Sequence, residues 1–150
     1  MGKQTTTTNT EIKSEFFTLA ELYKSETAAR HKIDNTPPAA IIKNLQYGVD
    51  MVLDPLRRLY GHPIKINSCY RCEQLNKLVG GVSNSWHLKG NAADIHIASG
   101  DEAKILFDNL QKLPSVDTVL FEHSKTAQWI HVQWDMTKNP RHHYNFNFKA

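Results

Sequence analysis

Long apolar runs are missing from this chain of 150 residues, and none approaches the roughly 18 that a membrane-spanning helix needs. A membrane partner is therefore not expected. Cysteine is scarce: the only two form Cys69-x-x-Cys72. A thiolate zinc site would need a second pair. A thioredoxin-like motif would need a helix beginning at Cys69 within a βαβ unit, which the flanking sequence does not predict. Two free thiols, buried or half-buried, are expected instead. The polar, threonine-rich segment Met1–Thr10 lacks the hydrophobic core of a secretory signal. The expectation is a chain kept in the cytoplasm until something else releases it. The formal charge of +3 is small and no dense basic stripe carries it, so nucleic acid is not expected as a partner. No internal repeat is present.

What remains is ordinary globular composition, 40% hydrophobic and 22% charged, in a chain long enough to bury one core. Residues 1–14 show no periodicity and predict a disordered arm, leaving 15–150 as one domain. Thr18-x-x-Glu21 is a capping box, and Leu19, Leu22 and Tyr23 predict a helical face reaching Arg30. Asp34-Asn35-Thr36 and Pro37-Pro38 break the chain, and the prolines suit the first turn of the next helix. Apolar residues from Ile41 to Leu59 recur at helical spacing, with Pro55 expected to kink that helix or restart it at Asp54. Strands are predicted for Ile64–Ser68, Ala92–Ala98, Val116–Glu122 and Trp129–Trp134, with helices over Cys72–Leu78 and Asp101–Leu113. In the tail, Tyr144, Phe146 and Phe148 alternate as an edge strand or docked arm would. Strands joined mainly by hairpins, with helices before and between them, predict an α+β fold: a small, mainly antiparallel sheet packed against helices.

The chemistry concentrates in Ser85-Trp86-His87-Leu88-Lys89-Gly90-Asn91-Ala92-Ala93-Asp94. Zinc takes imidazole nitrogen and carboxylate oxygen, and a catalytic site needs three protein ligands plus an open position. His87 and Asp94 can supply two, from a loop that turns at Gly90 and enters a strand at Asp94. Among eight histidines, His31, His62, His123, His142 and His143 lie in loops or near the tail, where solvent accounts for them. His96 alternates with Asp94 but suits a supporting role. His131 sits mid-strand between Ile130 and Val132, where a buried ring needs a partner, either a metal or a core hydrogen bond.

The pattern Ser-x-His-x-x-Gly-x-Ala-x-Asp resembles the signature of the zinc D-alanyl-D-alanine carboxypeptidase family. The vancomycin-resistance dipeptidases, phage L-alanyl-D-glutamate endolysins and the hedgehog signalling domain share its fold. Ser68-Cys69-Tyr70-Arg71 resembles the family's "S-x-Y-R" strand end, and Trp129-Ile130-His131-Val132 its second-histidine strand. The resemblance spans about Phe16 to Trp134. It implies one Zn2+ per chain held by His87, Asp94 and His131. It also implies that Arg71 lies beside the metal and binds substrate, and that Ser85 either lines the substrate pocket or supports the loop. The implied substrate is a peptidoglycan stem peptide, cut by a monomer of phage or bacterial origin acting on the cell wall.

One departure matters. Several branches of that family carry an acid three residues before the second histidine, and here Gln128 stands there. An amide cannot serve as general base. Glu122 is the substitute: if residue 122 lies opposite 129 in a hairpin, 120 lies opposite 131, and Glu122 shares a sheet face with His131. The hedgehog domain resembles this arrangement. A catalytically silent zinc-binding module is the competing expectation. The segments Gly80–Asn84 and His123–Gln128 are too short for a large lid, which favours an open groove.

Overall fold

The computed structural model describes residues 11–137 and 139–149. Helix α1, Leu19–Tyr23, starts at the capping box: the Glu21 N–H donates to Thr18 Oγ1, and the Thr18 N–H donates to Glu21 Oε1. The helical face predicted to reach Arg30 is interrupted, because Lys24 is extended and Ser25 caps a separate helix, α2, Glu26–Arg30. A serine that offers its hydroxyl to Ala28 N–H competes with a continuous helix at that point.

Helix α3, Ala39–Gly48, follows Pro38. It widens into a π-helical turn, Val49–Leu53, before α4, Asp54–Tyr60. The break stands where Pro55 predicts it. Proline has no N–H, and its ring crowds the carbonyl one turn back, so the wider turn absorbs it within an unbroken rod.

The sheet has the order β1-β2-β4-β3-β5, with β1 Ile66–Ser68, β2 Ala92–His96, β3 Val116–His123, β4 Gln128–Trp134 and β5 His143–Lys149. Helices α5, Glu73–Leu78, and α6, Gly100–Leu110, complete the fold. All pairings are antiparallel except β3 with β5. The architecture is α+β, and the alternating tail is an edge strand.

Side-chain alternation divides the sheet into two faces. Ala93, Ile95, Val119, Phe121, Ile130 and Val132 join Leu45, Val52, Leu56 and Leu106 of the helices in one buried core. The opposite parity carries Asp94, Leu120, Glu122, His131 and Gln133, which line a cavity. The strand pairing that builds the core therefore also assembles the polar face.

Residues 12–14, expected to belong to a disordered arm, make contacts with the domain. Lys13 N–H donates to Gln46 Oε1, the Ser14 hydroxyl donates to Asp54 Oδ1, and Ile12 packs against the core. Residues 1–10 lie outside the described residues. Among the described residues, no helix is long and apolar enough to cross a membrane.

Candidate metal centre and cavity

The loop carrying His87 is a single 3-10 turn, Trp86–Lys89. Ser85 caps it by accepting the His87 N–H at 3.2 Å, and Gly90 ends it at φ 71°. A β-carbon at Gly90 would stand 2.9 Å from Ile41 Cγ2, so both the dihedral and the approach to α3 require glycine. The Arg71 N–H donates to the His87 carbonyl at 3.1 Å, tying this loop to the end of β1.

His87 is 3% exposed, and its Nδ1 lies 2.5 Å from the Cys69 carbonyl. A carbonyl only accepts, so Nδ1 donates to it, and Nε2 faces Asp94 Oδ2 at 3.4 Å. Asp94 on β2 pairs in register with His131 on β4. The His131 Nδ1 lies 2.8 Å from Asp94 Oδ1, and its Nε2 donates to Gln133 Oε1 at 2.9 Å. Both imidazoles thus have their outer nitrogen engaged and their inner nitrogen turned toward one carboxylate.

One ligand atom from each of His87, Asp94 and His131 lies within 4.8 Å of the other two. Tetrahedral zinc with nitrogen and oxygen ligands needs them about 3.3 Å apart, close to the His87–Asp94 separation. The outer partners, the Cys69 carbonyl and Gln133, are of the kind that fix tautomers at metal sites. The donor set, spacing and outer shell all fit zinc.

Electrostatics agree with the geometry. Burial works to raise the Asp94 carboxyl, but the neighbouring His87 and His131 outweigh it and hold the group well below the usual carboxylate range. Burial likewise disfavours protonated His131, yet the hydrogen bond and charge of Asp94 win, and its pKa stands above the ordinary value in the metal-free protein.

Beside these residues opens a cavity of about 580 Å³. Glu122 lines it, and Leu120 is opposite His131 and Glu122 opposite Trp129, as the hairpin reading requires. Burial raises the Glu122 carboxyl, partly offset by His131. The buried Trp129 indole N–H favours the ionised form without reaching hydrogen-bonding geometry. Gln128 is exposed at the start of β4, paired with His123, and is not among the lining residues. Arg71 also lines the cavity, with Asp94 and Glu122 as the anions acting on its charge, and its buried Nε has no hydrogen-bond partner among the described residues.

The Ser85 hydroxyl caps the His87 loop, the supporting one of its two expected roles, although the residue also faces the cavity. His96 is exposed and acts on Glu102, away from the His-Asp-His cluster. Both cysteines are free: Cys69 is buried with its thiol pushed far up, and Cys72 is half-buried at the start of α5.

A family model described as Peptidase M15 matches residues 15–133. The chain belongs to the peptidase M15 family. Membership makes it a zinc-dependent metallopeptidase by type, and the His-Asp-His cluster is where such a metal fits. No curated protein sequence matches the chain.

Gln133 and Arg141, both at the cavity, escaped the sequence reading. Gln133 was within reach, because i and i+2 share a strand face and a metal-binding histidine needs a partner for its second nitrogen. Arg141 lies beyond the segment matched to the M15 family, and nothing local to it signals a contact with Asp117.

Proposed function

We propose that this M15 peptidase hydrolyses an amide bond in peptidoglycan stem peptides, acting as a monomer on the cell wall. His87, Asp94 and His131 would hold one Zn2+. When bound, zinc supplies a Lewis acid and brings the pKa of a water toward about 7. Glu122 takes a proton from the attacking water and returns it to the leaving amine. Arg71, whose buried Nε lacks a partner among the described residues, offers donors to the developing oxyanion. The single observation that carries an active rather than silent reading is that Glu122 lines the cavity while Gln128 does not.

Between the two modes of cleavage we favour the endopeptidase. A second cavity of about 520 Å³, between β1 and the α1–α2 segment, shares Arg71 and Val79 with the first. Arg71 therefore stands between two open spaces rather than at a closed end, which suits a peptide running past the metal. The substrate class rests on the family resemblance of the motifs.

Purified peptidoglycan incubated with the zinc-loaded protein, followed by mass spectrometry of the released ends, tests the proposal. New amino termini within cross-linked stems are expected. Free D-alanine alone would mean a carboxypeptidase, and no release from any wall type would leave the silent module.

A further inference from the structure

The M15 match stops at residue 133, but the cavity wall does not: Arg141, on the connection into β5, is part of it. Asp117 holds this side chain in place. Asp117 is 1% exposed and accepts the Arg141 backbone N–H at 2.7 Å, Nε at 2.9 Å and Nη2 at 2.7 Å. The Thr118 hydroxyl donates to the same carboxylate and accepts from Nη2 at 3.2 Å. The next residue, His142, has φ 53°, a conformation that non-glycine residues adopt rarely and that clusters at ligand clamps. The guanidinium lies 5.5 Å from the Trp86 ring, on the turn that carries His87.

So fixed through Nε and Nη2, the Arg141 side chain is still 61% exposed. A planar fork that is held along one edge and open along the other suits a second carboxylate. The two cavity arginines stand at different depths. The anions acting on Arg71 are Asp94 and Glu122, at the reacting centre; those acting on Arg141 are Asp117 and Asp135. With a divalent cation held by the ligands, the cavity wall carries net positive charge.

We propose that Arg141 is a specificity residue: it receives a free carboxylate of the peptide substrate, on a residue flanking the scissile amide and not at the bond that is cut. The inference rests on the peptidase reading above and narrows its substrate to anionic peptides. Satisfying a buried Asp117 is the competing role for Arg141, and that role is indifferent to what the substrate carries.

Two stem-type peptides containing a D-residue, identical except that the flanking carboxylate is free or amidated, separate the roles. Zinc-loaded wild type should prefer the carboxylate by about tenfold or more in kcat/KM, the worth of one charge-assisted hydrogen bond. In Arg141→Gln that ratio should fall to near one, through KM for the carboxylate peptide. Because Arg141→Gln leaves a buried carboxylate unpaired, the double variant Asp117→Asn/Arg141→Gln is measured beside it, with zinc content and circular dichroism as checks on folding. Calorimetric binding of both peptides to zinc-loaded Glu122→Gln, with and without Arg141→Gln, gives the same ratio without turnover. A preference that survives in the folded variants, or that wild type never shows, overturns the inference. Wild type that carries zinc but binds and cleaves neither peptide contradicts the peptidase reading, and the inference falls with it.

Discussion

At the scale of residues, the His-Asp-His cluster shows how a proton and a metal can compete for one imidazole nitrogen. A metal-ligating histidine must be neutral, whereas His131 in the metal-free protein has a raised pKa because Asp94 lies against its Nδ1. The folded-state pKa lies above the unfolded value of about 6.5. This contact therefore stabilises the metal-free protein fully below that value, and the stabilisation is lost as pH rises through the folded pKa. Zinc binding displaces the same proton and strengthens over the same interval. The difference in melting temperature between zinc-loaded and chelated protein should thus widen from pH 5.5 to pH 8. A difference that is constant or shrinks over that range would mean that His131 is not a ligand. The His-Asp-His cluster was legible in the sequence because the motif is local and His131 sits mid-strand. Gln133 was missed because its role shows only once the second nitrogen of His131 is asked for a partner.

At the scale of elements, the ligand loop and α3 define each other. Gly90 occupies a left-handed conformation and brings the 3-10 turn against Ile41 and Leu45. Gly90→Ala should destabilise the fold by about 1–2 kcal/mol for the dihedral alone, and more for the contact. It should also weaken zinc affinity, since His87 rides on that turn. Thermal melts and zinc titration read both effects, and an unchanged melting temperature would refute this account of the loop. The β3–β4 hairpin was readable because two adjacent strands with a short loop admit few registers, and one choice placed Glu122 beside His131. Boundaries fared less well where local hydrogen bonding competed with periodicity, as at Ser25. Arg141 was not readable at all, because its partner Asp117 lies 24 residues away, across a connection that returns β5 parallel to β3.

At the scale of the molecule, one alternation of side chains builds both halves of the protein. Residues of one parity close the core on the helices, and residues of the other bring Asp94, Glu122 and His131 to a cavity that His87 on its turn, Arg71 and Arg141 complete. Because the ligands sit on a ten-residue motif and two paired strands, a functional site can persist while the acid at position 128 is absent, provided the sheet presents another on the same face. Glu122, which lines the cavity, is the group proposed for that role, and this is the central claim. The most direct measurement is turnover of a cleavable stem peptide by Glu122→Gln, with zinc content determined on the same sample and Gln128→Ala as the comparison. Glu122→Gln should hold one zinc per chain and lose roughly 10²–10⁴-fold in kcat, while Gln128→Ala stays near wild type. Near wild-type turnover by zinc-loaded Glu122→Gln would contradict the account.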